Sequence, residues 1–234
     1  MESAYQSPDS GDELFLGYAP AFRSETGWRL SFRQNRTTRG DGVVRRVMFD
    51  NIADPDRRVL VDVAEFPGPV RAGEYIAAAR EDANFEVSGA AIRFGTPSLA
   101  FPKATPRTLY FCLSNLAIWV YSCGRERLDV EPWADQIVAD LNQPPPHSAR
   151  PDLIFNPEPS SPAQAGAIRL RPTLQWDRGE WAWSKFKAVG ATISRAAIDS
   201  GDLLVWPTNT TFSIAGVAIE PGRETYVGEF KTGT

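Results

Sequence analysis

At 234 residues the chain is long enough for two domains of ordinary size, and 42% hydrophobic with 11% aromatic residues is enough to fill a core in each. A net charge of −4 argues against nucleic acid or an anionic membrane surface as partner. No run of about 20 apolar residues is present to span a bilayer. Lys103, Lys185, Lys187 and Lys231 are the only lysines among 25 basic residues, and the arginine excess reads as the mark of a GC-rich coding sequence.

Residues 1–13 are polar and turn-rich and read as a flexible arm, without the apolar segment of an export signal. The compartment stays open between the cytosol and an extracytoplasmic site reached by a chain whose signal has been removed. From Leu14 to Gln143 the pattern predicts an α+β domain. Strands are expected at Trp28–Arg33, Val43–Phe49 and Val59–Phe66, punctuated by Gly40-Asp41-Gly42 and Asp54-Pro55-Asp56. Val70–Ala83 then changes period, with Tyr75, Ile76, Ala79 and Ala83 on one helical face. Further strands follow at Phe85–Phe94, Leu109–Leu113 and Leu116–Tyr121. A second helix runs over Glu131–Leu141, opened by Pro132 and carrying Ala134, Ile137, Val138 and Leu141 as its buried stripe. The expected fold is an antiparallel sheet with two covering helices. Leu109, Phe111, Leu113, Leu116, Ile118 and Val120 line one side of the last strand pair and Tyr110, Cys112, Ala117, Trp119 and Tyr121 the other, so one face can take the helices and the other needs cover too, from the second domain or from a ligand.

A turn at Ser114-Asn115 fixes the register of its hairpin, placing Cys112 opposite Ala117 and Cys123 opposite Pro106. The two cysteines are then six residues out of register, roughly 20 Å along a strand, whereas a disulfide needs Cα atoms within about 7 Å. Two free thiols are expected.

Residues 144–158 read as a proline-rich linker, opened by Pro144-Pro145-Pro146-His147, and 159–234 as an all-β sandwich. His147 is the only histidine. Between prolines it has no rigid neighbour to hold it against a nucleophile or a metal, which removes the central residue of Ser-His-Asp, Cys-His and His-metal chemistry. Ser184-Lys185-Phe186-Lys187 with Lys231-Thr232-Gly233 matches the S-x-x-K and K-T-G of penicillin-recognising enzymes, but the spacing is too short and no Ser-x-Asn element lies between. The carboxylates Asp50, Asp54 and Asp56 lack the spacing of a calcium loop, and no phosphate-binding glycine motif occurs. No catalytic residue, cofactor or metal site is therefore assigned. Arg29, Arg33, Arg36, Arg39, Arg45, Arg46, Arg57 and Arg58 collect on neighbouring strands and fit a solvated edge as well as a ligand site; Arg39-Gly40-Asp41 within them is a chance-level match to the integrin tripeptide.

Two resemblances bear on the fold. Ser114–Gly124 followed by Ile137-Val138-Ala139-Asp140-Leu141 resembles the closing strand and helix of PsbP/Mog1-like α+β domains. Pro159-x-x-Pro162-x-x-x-Gly166-Ala167, Arg171-Pro172-Thr173-Leu174-Gln175-Trp176 and Ile219-x-Pro221-Gly222-x-x-x-Tyr226 resemble a bacterial fibronectin type III or immunoglobulin-like module. That resemblance implies Trp176 in the sandwich core, Tyr226 at the corner before the sixth strand, and no residues left for a seventh.

Trp181 and Trp183 fall on one side of a strand beside Lys185 and Lys187, and these four residues form the candidate contact surface. The expectation is a non-enzymatic binding or adaptor protein of the bacterial envelope or extracellular space, with a protein or glycan partner. The alternative is a cytosolic accessory, immunity or assembly protein of a secretion or defence system.

Overall fold

The computed structural model describes residues 13–20, 27–37, 42–82, 94, 98–101, 105–142, 153–158, 166–174, 183–195, 202–219 and 225–231. In chain order the elements are β1 (Glu13–Leu16), β2 (Trp28–Thr37), β3 (Val43–Asn51), β4 (Arg58–Glu65), α1 (Pro69–Asp82), β5 (Ser98–Phe101), β6 (Thr108–Leu113), β7 (Leu116–Ser122), α2 (Glu131–Leu141), β8 (Leu153–Glu158), β9 (Ile168–Leu174), β10 (Trp183–Val189), β11 (Ala191–Arg195), β12 (Leu203–Pro207), β13 (Ser213–Ile219) and β14 (Thr225–Lys231). The result is a β-rich chain with two helices among the described residues. It divides into two compact units, Tyr18–Phe66 with Arg71–Pro144, and Met1–Gly17 with Pro67–Val70 and Pro145–Thr234.

The first, mixed unit is built on one antiparallel sheet in the order β2-β3-β4-β7-β6-β5. Its hairpin register is the one the turn dictates, with Leu113 opposite Leu116 and Cys112 opposite Ala117. Ser114 turns the chain at φ 50°, and Asn115, fully buried, donates from Nδ2 to the Phe66 carbonyl at 3.0 Å and pins the end of β4. Alternation gives the sheet two apolar faces, and one helix covers each. Ala72 and Ile76 of α1 pack with Val44, Ala64, Ala117 and Trp119. On the opposite face Trp133 of α2 lies 5.3 Å from the Phe49 ring and 4.8 Å from that of Trp28. The second apolar face thus has a structural cover. In α2 the buried residues are Trp133, Ala134, Ile137 and Leu141, so Trp133 joins the stripe while Val138 is only half-buried. Of the strand expected at Phe85–Phe94 only Phe94 is described, its ring 5.7 Å from Phe111. The short β5 pairs with β6 and was not expected.

The second unit holds two four-stranded antiparallel sheets, β1-β10-β13-β14 and β11-β12-β9-β8. Leu14, Leu16, Phe186 and Ile214 from the first meet Leu170, Ile193, Leu203 and Val205 from the second in one core. Gly190 carries the chain from β10 into β11 and so from one sheet to the other. Its φ is +72°, and its carbonyl accepts from the amides of Thr208 and Asn209 at 2.9 and 3.1 Å. Two boundaries differ from the sequence reading. Leu153–Glu158, assigned to the linker, is β8 and pairs with β9 despite Pro157; a proline is tolerated on an edge strand, where its missing N–H faces away from the ladder. Glu13–Leu16, at the junction of the expected arm and the expected α+β domain, pairs with β10 of the second unit.

Candidate functional site

Strand β10 is one-sided. Ser184, Phe186 and Ala188 point inward and are buried, while Lys185, Lys187 and Val189 point outward, Val189 being 65% exposed. Position 183 has the parity of the outward row. Lys185 is tied down, its Nζ 2.7 Å from Glu13 Oε1 on β1 and 5.3 Å from the centroid of the Phe15 ring. Glu13 stands directly opposite Lys187, so the pair with Lys185 is a cross-strand diagonal. Lys187 is exposed. The structure therefore brings Lys185 and Lys187 onto one face. Trp181, Trp176 and His147 lie outside the described residues, as does the side chain of Trp183, which opens β10 opposite Ile219.

The serine–lysine motif separates. Ser184 is buried and pairs with Ala218, whereas Lys231 pairs with Ser213, five positions along β13 or roughly 17 Å away at strand rise. Lys187, the lysine of S-x-x-K, shares β10 with Ser184 but lies on its opposite face.

Among the described residues the buried carboxylates are Asp50, Asp62, Glu65 and Asp202, and each faces a guanidinium. Asp62 takes both Nε and Nη2 of Arg46 across the β3–β4 pair, and these hydrogen bonds raise the Arg46 pKa above its already high value. Glu65 takes Arg45 Nη1 at 2.6 Å. Asp202 accepts from Arg171 Nε at 2.9 Å and from Arg169 Nε at 2.7 Å; these bonds, Arg171 first, hold its carboxyl below the usual range. A general acid at neutral pH needs the opposite shift, so Asp202 is built to stay ionised.

Beside the Arg46–Asp62 pair, Tyr75 of α1 meets Trp119 edge-on at 5.0 Å, and Tyr110 meets Trp119 at 6.0 Å. Burial and then the Asp62 charge push the Tyr110 phenol up, keeping it a neutral hydrogen-bonding group. The sequence placed Tyr110 and Trp119 on one face but could not place Tyr75 among them.

The arginine-rich stretch resolves into two kinds. Arg45, Arg46, Arg57 and Arg58 are paired, the third with Glu126 through two bonds of 2.8 and 2.7 Å. On β2, Arg29 reaches Asp50 only at 4.0 Å, and Arg33 makes no ion pair with a described residue. Leu30 and Phe32 between them are 44% and 42% exposed. The tripeptide Arg39-Gly40-Asp41 lies outside the described residues, as does the side chain of Arg36.

Among the described residues no three His, Cys, Asp or Glu side chains are grouped so as to hold a metal ion, and no helix is long and apolar enough to cross a membrane. No family model, curated protein or solved structure matches the chain.

Proposed function

We propose that the chain is a binding module whose all-strand unit is an immunoglobulin-like sandwich and whose contact surface is the outward face of β10. The order β8-β9-β12-β11 in one sheet and β10-β13-β14 in the other follows the A-B-E-D and C-F-G pairing of constant-type immunoglobulin domains, and this supports the reading. With β8 as the first strand and β14 as the last there are seven, so Tyr226 falls in the final strand and not at the corner before the sixth. On this assignment β14 takes the place of the seventh strand, for which the motif count left no residues. A fold of this kind does not specify a function, so the site must carry the argument. The observation that carries it is the alternation of β10, a core row of Ser184, Phe186 and Ala188 behind an outward row in which Lys187 and Val189 are exposed while Lys185 is held against Glu13 and Phe15. Trp183 on the same parity, with Trp181 two positions earlier, would supply aromatic anchors for a protein or glycan partner, and the lysines its polar rim.

The test uses the full chain with a photoreactive residue at position 187 to trap protein partners, together with a glycan array. Binding found in either format should weaken at least tenfold, about 1.4 kcal/mol, in the Trp181→Ala/Trp183→Ala variant, with the melting temperature nearly unchanged. A collapse in melting temperature would assign the indoles to the core, and unchanged binding would remove the β10 face from the interface.

A further inference from the structure

We infer that the free edge of β2 is a strand-addition site for an acidic, extended segment of a partner protein. This surface is separate from the β10 face and does not depend on the reading of the all-strand unit. Among the described residues β2 is the terminal strand of its sheet, ten residues long, with β3 on one side only. Every second residue of such an edge turns its backbone N–H and C=O away from the sheet, a ready ladder for another chain.

The side chains say what kind of chain fits. A register shift between Leu30 and Phe32 puts a bulge in β2, held by Ser31 Oγ donating to the Met48 carbonyl at 3.2 Å. Because of it, Leu30 pairs with Phe49 on the α2 side while Phe32 pairs with Met48 on the α1 side. Arg29 lies on the α1 side opposite Asp50, and Arg33 on the α2 side opposite Val47. Each face of the edge therefore displays one apolar residue and one arginine. Trp28–Thr37 holds three arginines and no carboxylate, inside a chain whose net charge is −4. A second copy adding its own β2 would bring arginines against arginines, which disfavours self-pairing. An acidic strand would meet complementary charge on both faces, with its apolar residues on Leu30 and Phe32.

The probe is a labelled ten-residue peptide of Val-Val-Glu-Glu repeats, which places valine and glutamate alternately on each face. It is titrated into the full-length protein by fluorescence anisotropy. The peptide should bind, more weakly as salt rises. Its Val-Val-Lys-Lys counterpart, and a version N-methylated at alternate amides, should not. The Arg29→Gln/Arg33→Glu variant, altered only at exposed positions and setting no carboxylate against the buried Asp50, should lose the acidic peptide by at least tenfold and gain the lysine peptide, with an unchanged melting curve. Equal binding of the N-methylated peptide would reduce the site to diffuse charge and overturn strand addition. Equal binding of the lysine peptide, or no loss in the double variant, would overturn the acidic partner. A dimer in sedimentation that Arg33→Glu dissolves would assign the edge to a second copy.

Discussion

Asp202→Asn isolates the charge of a carboxylate that is fully withdrawn from solvent between Arg169 and Arg171. The substitution keeps shape and one acceptor but sets an amide N–H₂ against guanidinium donors. The two arginines are 30% and 51% exposed and recover hydration once the partner charge is gone. The loss therefore belongs at the lower end of the range for breaking a buried pair, about 3 kcal/mol at neutral pH. The sign of its pH dependence follows from the lowered carboxyl pKa of the folded state. A folded pKa below the unfolded one contributes stability that is complete above the unfolded value of about 3.9 and disappears as pH falls through the folded value. Urea unfolding followed by circular dichroism from pH 7 down to about pH 2 should thus show wild type and variant converging in acid. A difference that is constant over the whole range, or below about 1 kcal/mol at neutral pH, would refute a charge-based role and leave only packing.

Two further expectations concern local geometry and thiol chemistry. Gly190→Ala would place a Cβ 2.7 Å from the Thr211 carbonyl oxygen at φ +72°. Left-handed strain and overpacking together should cost about 2–4 kcal/mol in denaturant unfolding. Gly166→Ala, at φ +88° with nothing within 4 Å, should cost only about 1 kcal/mol, and equal losses at the two sites would remove the contact with Thr211 from the account. Cys112 donates to the Ala72 carbonyl at 3.2 Å, and burial pushes its thiol up to about 12, while Cys123 is exposed. Ellman's reagent should label Cys123 in the native protein and Cys112 only on unfolding. The Cys112 thiol should contribute stability up to about pH 8.5 that is lost as pH rises toward its folded value, a contribution checked by comparison with Cys112→Ala.

The parts legible in the sequence are those set by neighbours in the chain. The 131–141 helix was fixed by Pro132 and the spacing of Ala134, Ile137 and Leu141. The 113–116 register followed from a two-residue turn, and with it the two free thiols. Ser98–Phe101 was missed because four residues are too few to establish a period. Leu153–Glu158 was missed because Pro157 argues locally against a strand, and its edge position, which makes the proline acceptable, is a property of the sheet. The exposed pair Leu30 and Phe32 gave no signal either, since an unbroken strand would have placed both on one face and the bulge between them separates them. Of the candidate surface, alternation alone predicted that Lys185 and Lys187 share a face, but the partner of Lys185, Glu13, lies in a segment read as a flexible arm.

The pairing of β1 with β10 also sets an order of events during synthesis. Leu16 and Ser184, which face each other across the ladder, are 168 positions apart. At about 5–20 residues per second, roughly ten to thirty seconds separate their emergence from the ribosome. All six strands of the mixed unit lie between Trp28 and Ser122 and can join before β10 exists. During that interval Leu14, Phe15 and Leu16, each nearly or fully buried in the finished protein, must wait without their sheet. A strand made before the whole mixed unit is therefore used only after it, and a nascent chain stalled before Trp183 would carry an uncovered apolar segment at Leu14–Leu16, open to chaperones or to the wrong strand.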